Sequence, residues 1–73
     1  MNREVFFKEL GNRIKYYRLA QKMTIEELSK KCNIKKDYIR KIEKGKAYGL
    51  KATQFIKIAY SLNIRPNILV DKL

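Results

Sequence analysis

The sequence predicts an all-α fold, a compact five-helix domain spanning residues 1–73. Three observations predict it. Apolar residues recur three and four positions apart in successive stretches, the spacing of one helix face. Between those stretches stand residues that start or stop helices: Thr24 with Glu27, Asn33, Gly45, Asn63 and Pro66. At 73 residues the chain has room for one domain, and no repeat, low-complexity segment or linker divides it.

The first helix is expected from about Arg3 to Gln21, capped by Asn2. Phe7, Leu10, Ile14 and Tyr17 form its apolar stripe, with Val5 and Phe6 beside or off it. Gly11 weakens the helix but lets another helix approach closely. Of Tyr16 and Tyr17, one ring is expected in the core and one at the surface. The second helix starts at Thr24, where Glu27 completes a Thr-x-x-Glu capping box and Met23 with Leu28 forms a hydrophobic staple. Glu26 and Glu27 lie in its first turn, where the helix dipole favours acids. It ends near Lys31 or Cys32, with Asn33 suited to a left-handed exit. The third helix covers about Lys36 to Lys44, turning Ile39 and Ile42 inward with Ile34 at its start, and Gly45 follows it. Residues 46–50 read as a loop. The fourth helix covers about Lys51 to Leu62, with Phe55, Ile58, Ala59 and Leu62 on one face and Asn63 as its cap. Pro66 suits the first position of a short last helix reaching about Lys72, with Ile64, Leu69 and Leu73 as apolar contacts.

Charge narrows the function. Eighteen Lys and Arg stand against seven Asp and Glu, a net charge of +11 with a pI near 10. Such a balance suits a polyanionic partner: nucleic acid, an anionic membrane surface or an acidic protein. Thirteen Lys, nine Ile and five Asn also fit a merely Lys-biased composition. No His and one Cys leave neither a zinc site nor an internal disulfide. Cys32 is expected as core filler. There is no catalytic constellation, so no enzyme and no cofactor are expected. No secretory signal or uncharged stretch of membrane-spanning length is found. The expected location is the cytoplasm.

Thr24 to Gly45 is the informative stretch. A capped helix, a tight turn at Cys32-Asn33-Ile34 and a second short helix make a helix-turn-helix. The second of these helices leaves Lys36, Asp37, Arg40, Lys41 and Lys44 outward. A major groove admits one such helix and presents distinct donors and acceptors to it. A short helix needs a brace to enter the groove.

The order Leu10-Gly11-x-x-Ile14-x-x-x-Arg18, Met23-Thr24-x-Glu26-Glu27-Leu28, Asn33-Ile34, Tyr38-Ile39-x-x-Ile42-Glu43-x-Gly45 and Ile56 to Ile64 resembles the Cro/C1-type (XRE) helix-turn-helix family. The resemblance covers residues 10–70. It implies a lambda-repressor-like five-helix fold, sequence-specific binding of double-stranded DNA and a homodimer on a two-fold operator, in a bacterial or phage-derived protein. By position it implies that Lys36, Asp37 and Lys41 read bases, with Tyr38 and Arg40 beside them. Lys or Arg suits guanine O6 and N7, and Asp accepts from cytosine N4. Lys44 and Lys46 match phosphate contacts, which orient rather than specify. Thr24 starts the supporting helix at the DNA, and Lys35 occupies the cap of the recognition helix. For each lysine the alternative is a solvated side chain. Arg18 and Glu43 match a structural ion pair of the family; the alternative is two surface charges.

Departures from the pattern locate weaker points. Ile25 stands where a phosphate-anchoring Gln is common, Lys35 replaces a Ser or Thr cap, Asn33 replaces a turn Gly and Ser29 replaces an Ala. The loop at Gly49-Leu50 lacks a frequent Pro, and Tyr48 in it lies within possible reach of the DNA backbone. The expected role is a transcriptional regulator, a repressor acting through occupancy, since no effector domain follows. The alternatives are an antitoxin or a restriction–modification controller working through a protein partner or autoregulation. A membrane-surface role ranks low because the stripe of the first helix is needed in the core. No small-molecule effector is evident. The homodimer is expected through Ile64 to Leu73, whose apolar residues exceed what a short terminal helix buries.

Overall fold

The structure, a computed structural model, describes residues 2–73. It holds five helices: α1 (Arg3–Ala20), α2 (Ile25–Cys32), α3 (Lys36–Glu43), α4 (Ala52–Ser61) and α5 (Pro66–Val70). α1 lies against α3 and α5, α2 against α3 and α4, and α4 against α5. Each helix sends a large, fully buried side chain to the centre: Ile14, Leu28, Ile39, Ile58 and Leu69. Leu62, at the end of α4, completes that centre. Phe7, Tyr17 and Phe55 are only partly buried and close its edges, while Tyr16 points to solvent. Cys32 is buried, and burial raises its thiol pKa.

The ends of the helices follow from local hydrogen bonding. Asn2 Oδ1 accepts from Val5 N at 2.8 Å and starts α1. α1 stops at Ala20, one residue early, because Lys22 turns left-handed and Met23 N bonds back to Arg18 O. The capping box is complete at α2: Glu27 N donates to Thr24 Oγ1 at 3.0 Å and Thr24 N to Glu27 Oε1 at 2.9 Å. Asn33 is left-handed at the exit, with a φ of 55°. Ile34 N donates to Ser29 O, and Ser29 Oγ donates to Ile34 O across the turn. Ser29 therefore stitches the turn between α2 and α3.

Lys35 gives α3 no side-chain cap. Lys44 closes the helix rather than continuing it, and Gly45 follows with a φ of 76°. Two glycines set how closely α1 approaches this end. A Cβ on Gly11 would lie 2.3 Å from Ile42 O, and one on Gly45 would lie 2.7 Å from Lys8 Cα. α4 begins at Ala52 rather than Lys51. Lys51 is extended, and its N–H bonds to Gln54 Oε1 at 2.9 Å. α4 ends at Ser61 rather than Leu62, since Asn63 is left-handed and Ile64 N returns to Ala59 O. α5 ends at Val70 rather than Lys72 because Asp71, with a ψ of 124°, has left the helical region and Lys72 is left-handed. Arg13 holds that end, donating from Nη1 to Asp71 O at 2.6 Å. The Gln21 amide donates to Leu62 O, which ties the ends of α1 and α4.

Candidate nucleic-acid interface

α3 divides cleanly into two faces. Ile39, Ile42 and Glu43 are buried, whereas Lys36, Asp37, Arg40, Lys41 and Lys44 are exposed. Lys36, Arg40 and Lys44 follow one another at four-residue spacing, so they share a stripe along the helix. Lys35 and Lys46 are exposed at the two ends. Tyr38 is half-buried, its ring packed against the core in a recess with Lys35, Gln54 and Lys57. Within the exposed face, Arg40 Nη1 donates to Asp37 Oδ1 at 2.7 Å.

The brace behind this face is a buried charge pair. Arg18 Nε donates to Glu43 Oε2 at 2.6 Å and Nη2 to Oε1 at 3.0 Å. Arg18 and Glu43 are 6% and 9% exposed. Nη1 is satisfied by Met23 O at 2.8 Å, so the guanidinium locks the last turn of α1, the entry to α2 and the end of α3 together. The hydrogen bond that Arg18 donates to Glu43 raises the Arg18 pKa, keeping it charged.

Thr24 and Ile25 bring the start of α2 beside α3. The Thr24 hydroxyl accepts the cap bond, and Ile25 is half-buried. Ile25, Lys15, Arg40 and Lys44 line a recess over the Arg18–Glu43 pair. Lys15 and Lys57 thus join the basic surface, and the motif did not single them out. Lys15, three residues before Arg18, is recoverable from helix spacing; Lys57 depends on how α4 packs. Tyr48 lies beneath Arg3, whose guanidinium carbon is 4.8 Å from the ring centroid, and Phe7 meets the ring edge-on at 5.5 Å. Its aromatic face is occupied within the chain.

A basic, exposed helix braced by a second helix through a tight turn defines a helix-turn-helix of the DNA-binding class. Residues 14–69 match the helix-turn-helix family, and the chain belongs to it, in the Cro/C1-type (XRE) group of DNA-binding transcriptional regulators. Solved structures share the fold. The restriction–modification controller protein C.AhdI from Aeromonas hydrophila is 24% identical, with a TM-score of 0.83 over 86% of this chain and 94% of that one. A chain of the SinR–SinI protein complex is 27% identical, with a TM-score of 0.80 over 86% of this chain and 61% of that one. A hypothetical transcription factor, NHTF from Neisseria, is 17% identical, with a TM-score of 0.84 over 96% and 79%. No curated protein matches the chain. Among the described residues no helix is long and apolar enough to cross a membrane.

Proposed function

We propose that this protein is a sequence-specific repressor of the Cro/C1 type, acting in the cytoplasm as one domain per chain and as a homodimer on a palindromic operator. The observation that carries the reading is the exposed basic face of α3, held by the buried Arg18–Glu43 pair. Lys36, Asp37 and Lys41 face base edges, with Arg40 and Tyr38 beside them. Lys35, Lys44, Lys46 and the start of α2 at Thr24 meet phosphates, which fix orientation. Lys15 replaces part of the anchoring that Ile25 does not supply.

The dimer contact runs through Ile64 to Leu73. Support comes from Ile68, exposed on α5, and from Ile64, Val70 and Leu73, which the chain covers only in part. Of the alternative readings, a restriction–modification controller or an antitoxin with a protein partner, the controller is favoured by the fold shared with C.AhdI.

Selection from a random duplex library at about 0.15 M salt tests the proposal, because specific and non-specific binding separate there. A palindromic motif is expected, with a dimer in sedimentation. If about six phosphates are neutralised, the log–log salt slope is about −5. Retention without enrichment favours the partner-binding reading, and a flat salt response rules out electrostatically driven DNA binding.

A further inference from the structure

We propose that Asp37 and Arg40 act as one reading element that selects a single C·G base pair in each half-site. The inference rests on the DNA-binding reading above and adds the chemistry of its target. Asp37 is the acidic residue on the exposed face of α3, among Lys36, Arg40, Lys41 and Lys44. Its side chain is 88% exposed, against 43% for Arg40. A carboxylate presented to a polyanion is repelled by it unless it meets a donor and carries its own counter-charge. Arg40 supplies the counter-charge at 2.7 Å. A lone exposed pair of this kind contributes little to stability, so its consequence lies in binding.

The pairing fixes which atoms remain free. One hydrogen bond joins Arg40 Nη1 to Asp37 Oδ1. Oδ2 of Asp37 is left as an acceptor, and Nη2 and Nε of Arg40 are left as a donor fork. In the major groove, guanine presents two acceptors, N7 and O6, and its paired cytosine presents the N4 amino donor. The fork matches the guanine edge and the free carboxylate oxygen matches the amino group, while the two side chains stay bonded to each other. An A·T pair places an amino donor where the fork needs an acceptor. The bond also limits the rotamers open to Arg40 before it meets DNA.

The test uses the full chain and the duplex motif obtained by selection. Affinities are measured for every single-base-pair variant of one half-site, with wild type, Asp37→Ala, Arg40→Ala and the double variant. Both side chains are at the surface, and circular dichroism checks that each variant is folded. In wild type, one C·G pair is expected whose change to T·A weakens binding about 10- to 100-fold. Each single variant loses most of that discrimination, and the double variant loses no more. Asp37→Ala also binds random duplex more tightly, because a negative charge is gone. The inference is overturned if Asp37→Ala leaves every base preference intact, or if the two losses at the C·G position add independently. A fall in melting temperature without a change in preference also overturns it. That outcome would make Asp37 only a dipole partner for the first turn of α3. Failure of wild type to bind any duplex overturns the DNA-binding reading itself.

Discussion

Glu43→Gln isolates the brace of the recognition helix. The substitution keeps the shape of the side chain but removes its charge, leaving the Arg18 guanidinium buried beside one amide oxygen. Arg18 is 6% exposed, so water does not replace the lost partner. Breaking one side of a buried pair costs about 3–5 kcal/mol. A domain of this length is stable by only about 4–11 kcal/mol in total. Urea denaturation at neutral pH is the assay. With a slope of about 1 kcal/mol per molar, the midpoint falls by about 3 M or more at unchanged slope. Replacing both residues, Arg18→Met with Glu43→Met, restores most of the loss, since neither charge remains buried. It leaves Met23 O without its donor, a residual cost of about 1–3 kcal/mol. A cost below about 1 kcal/mol for Glu43→Gln, the range of exposed pairs, would refute the reasoning.

Gly11→Ala gains about 1 kcal/mol of helix propensity but drives a methyl group to 2.3 Å from Ile42 O. The overpacking costs about 1–3 kcal/mol, a net loss of up to about 2 kcal/mol after that gain, and thermal melts should show the fall. Thr24→Ala removes the α2 cap and should cost about 1 kcal/mol in urea titrations. The Glu27 carboxyl is held below its ordinary pKa, first by its hydrogen bond with the Thr24 backbone and then by that with the Thr24 side chain. A depressed folded pKa gives stability that is present above the unfolded value and lost as pH falls through the folded one. The deficit of Glu27→Ala should therefore be full at pH 7 and fade below about pH 4, a comparison made by melts at both ends. Cys32 is buried with its thiol pKa raised, so a thiol reagent should label it only as fast as the domain opens.

Most of the fold was legible because caps and periodicity are local. Thr24 with Glu27, Asn33 and Gly45 marked the ends of α2 and α3 within one residue, since each uses only its near neighbours. The ends of α1, α4 and α5 were read one or two residues long. Lys22 and Lys72 adopt left-handed backbone without being Gly or Asn, and no residue type announced it. The resemblance set Arg18 opposite Glu43, and they are in contact; the third bond, to Met23 O, had no sequence signal. Nor did Arg13 at the end of α5 or Ala47 buried in the loop, because both depend on residues distant in the chain. On the candidate site, composition and spacing gave the outward residues of α3, but the Asp37–Arg40 bond is a rotamer choice among several. Lys57 enters only once α4 is packed against α2, whereas Lys15 shares a helix face with Arg18.

The distribution of these contacts along α3 bears on how it meets DNA. Its C-terminal half is fixed by α1 through Gly11 on the Ile42 and Glu43 carbonyls, Arg18 on Glu43, and Lys8 against Gly45. Its N-terminal half has no side-chain cap and depends on the Ser29–Ile34 turn and on Ile39. Local stability follows local contact, so the first turn of α3 opens more readily than the last. Of the proposed base readers, Lys36 and Asp37 sit on that looser turn and Lys41 on the fixed one; of the proposed phosphate contacts, Lys35 precedes the looser turn, and Lys44 and Lys46 lie on and beyond the fixed one. In the proposed reading Lys44 and Lys46 set the register from the rigid end, while Lys36 and Asp37 retain freedom to adjust to a base edge. The brace variants should accordingly weaken binding to all sequences alike, while changes at Asp37 alter preference with little loss of fold.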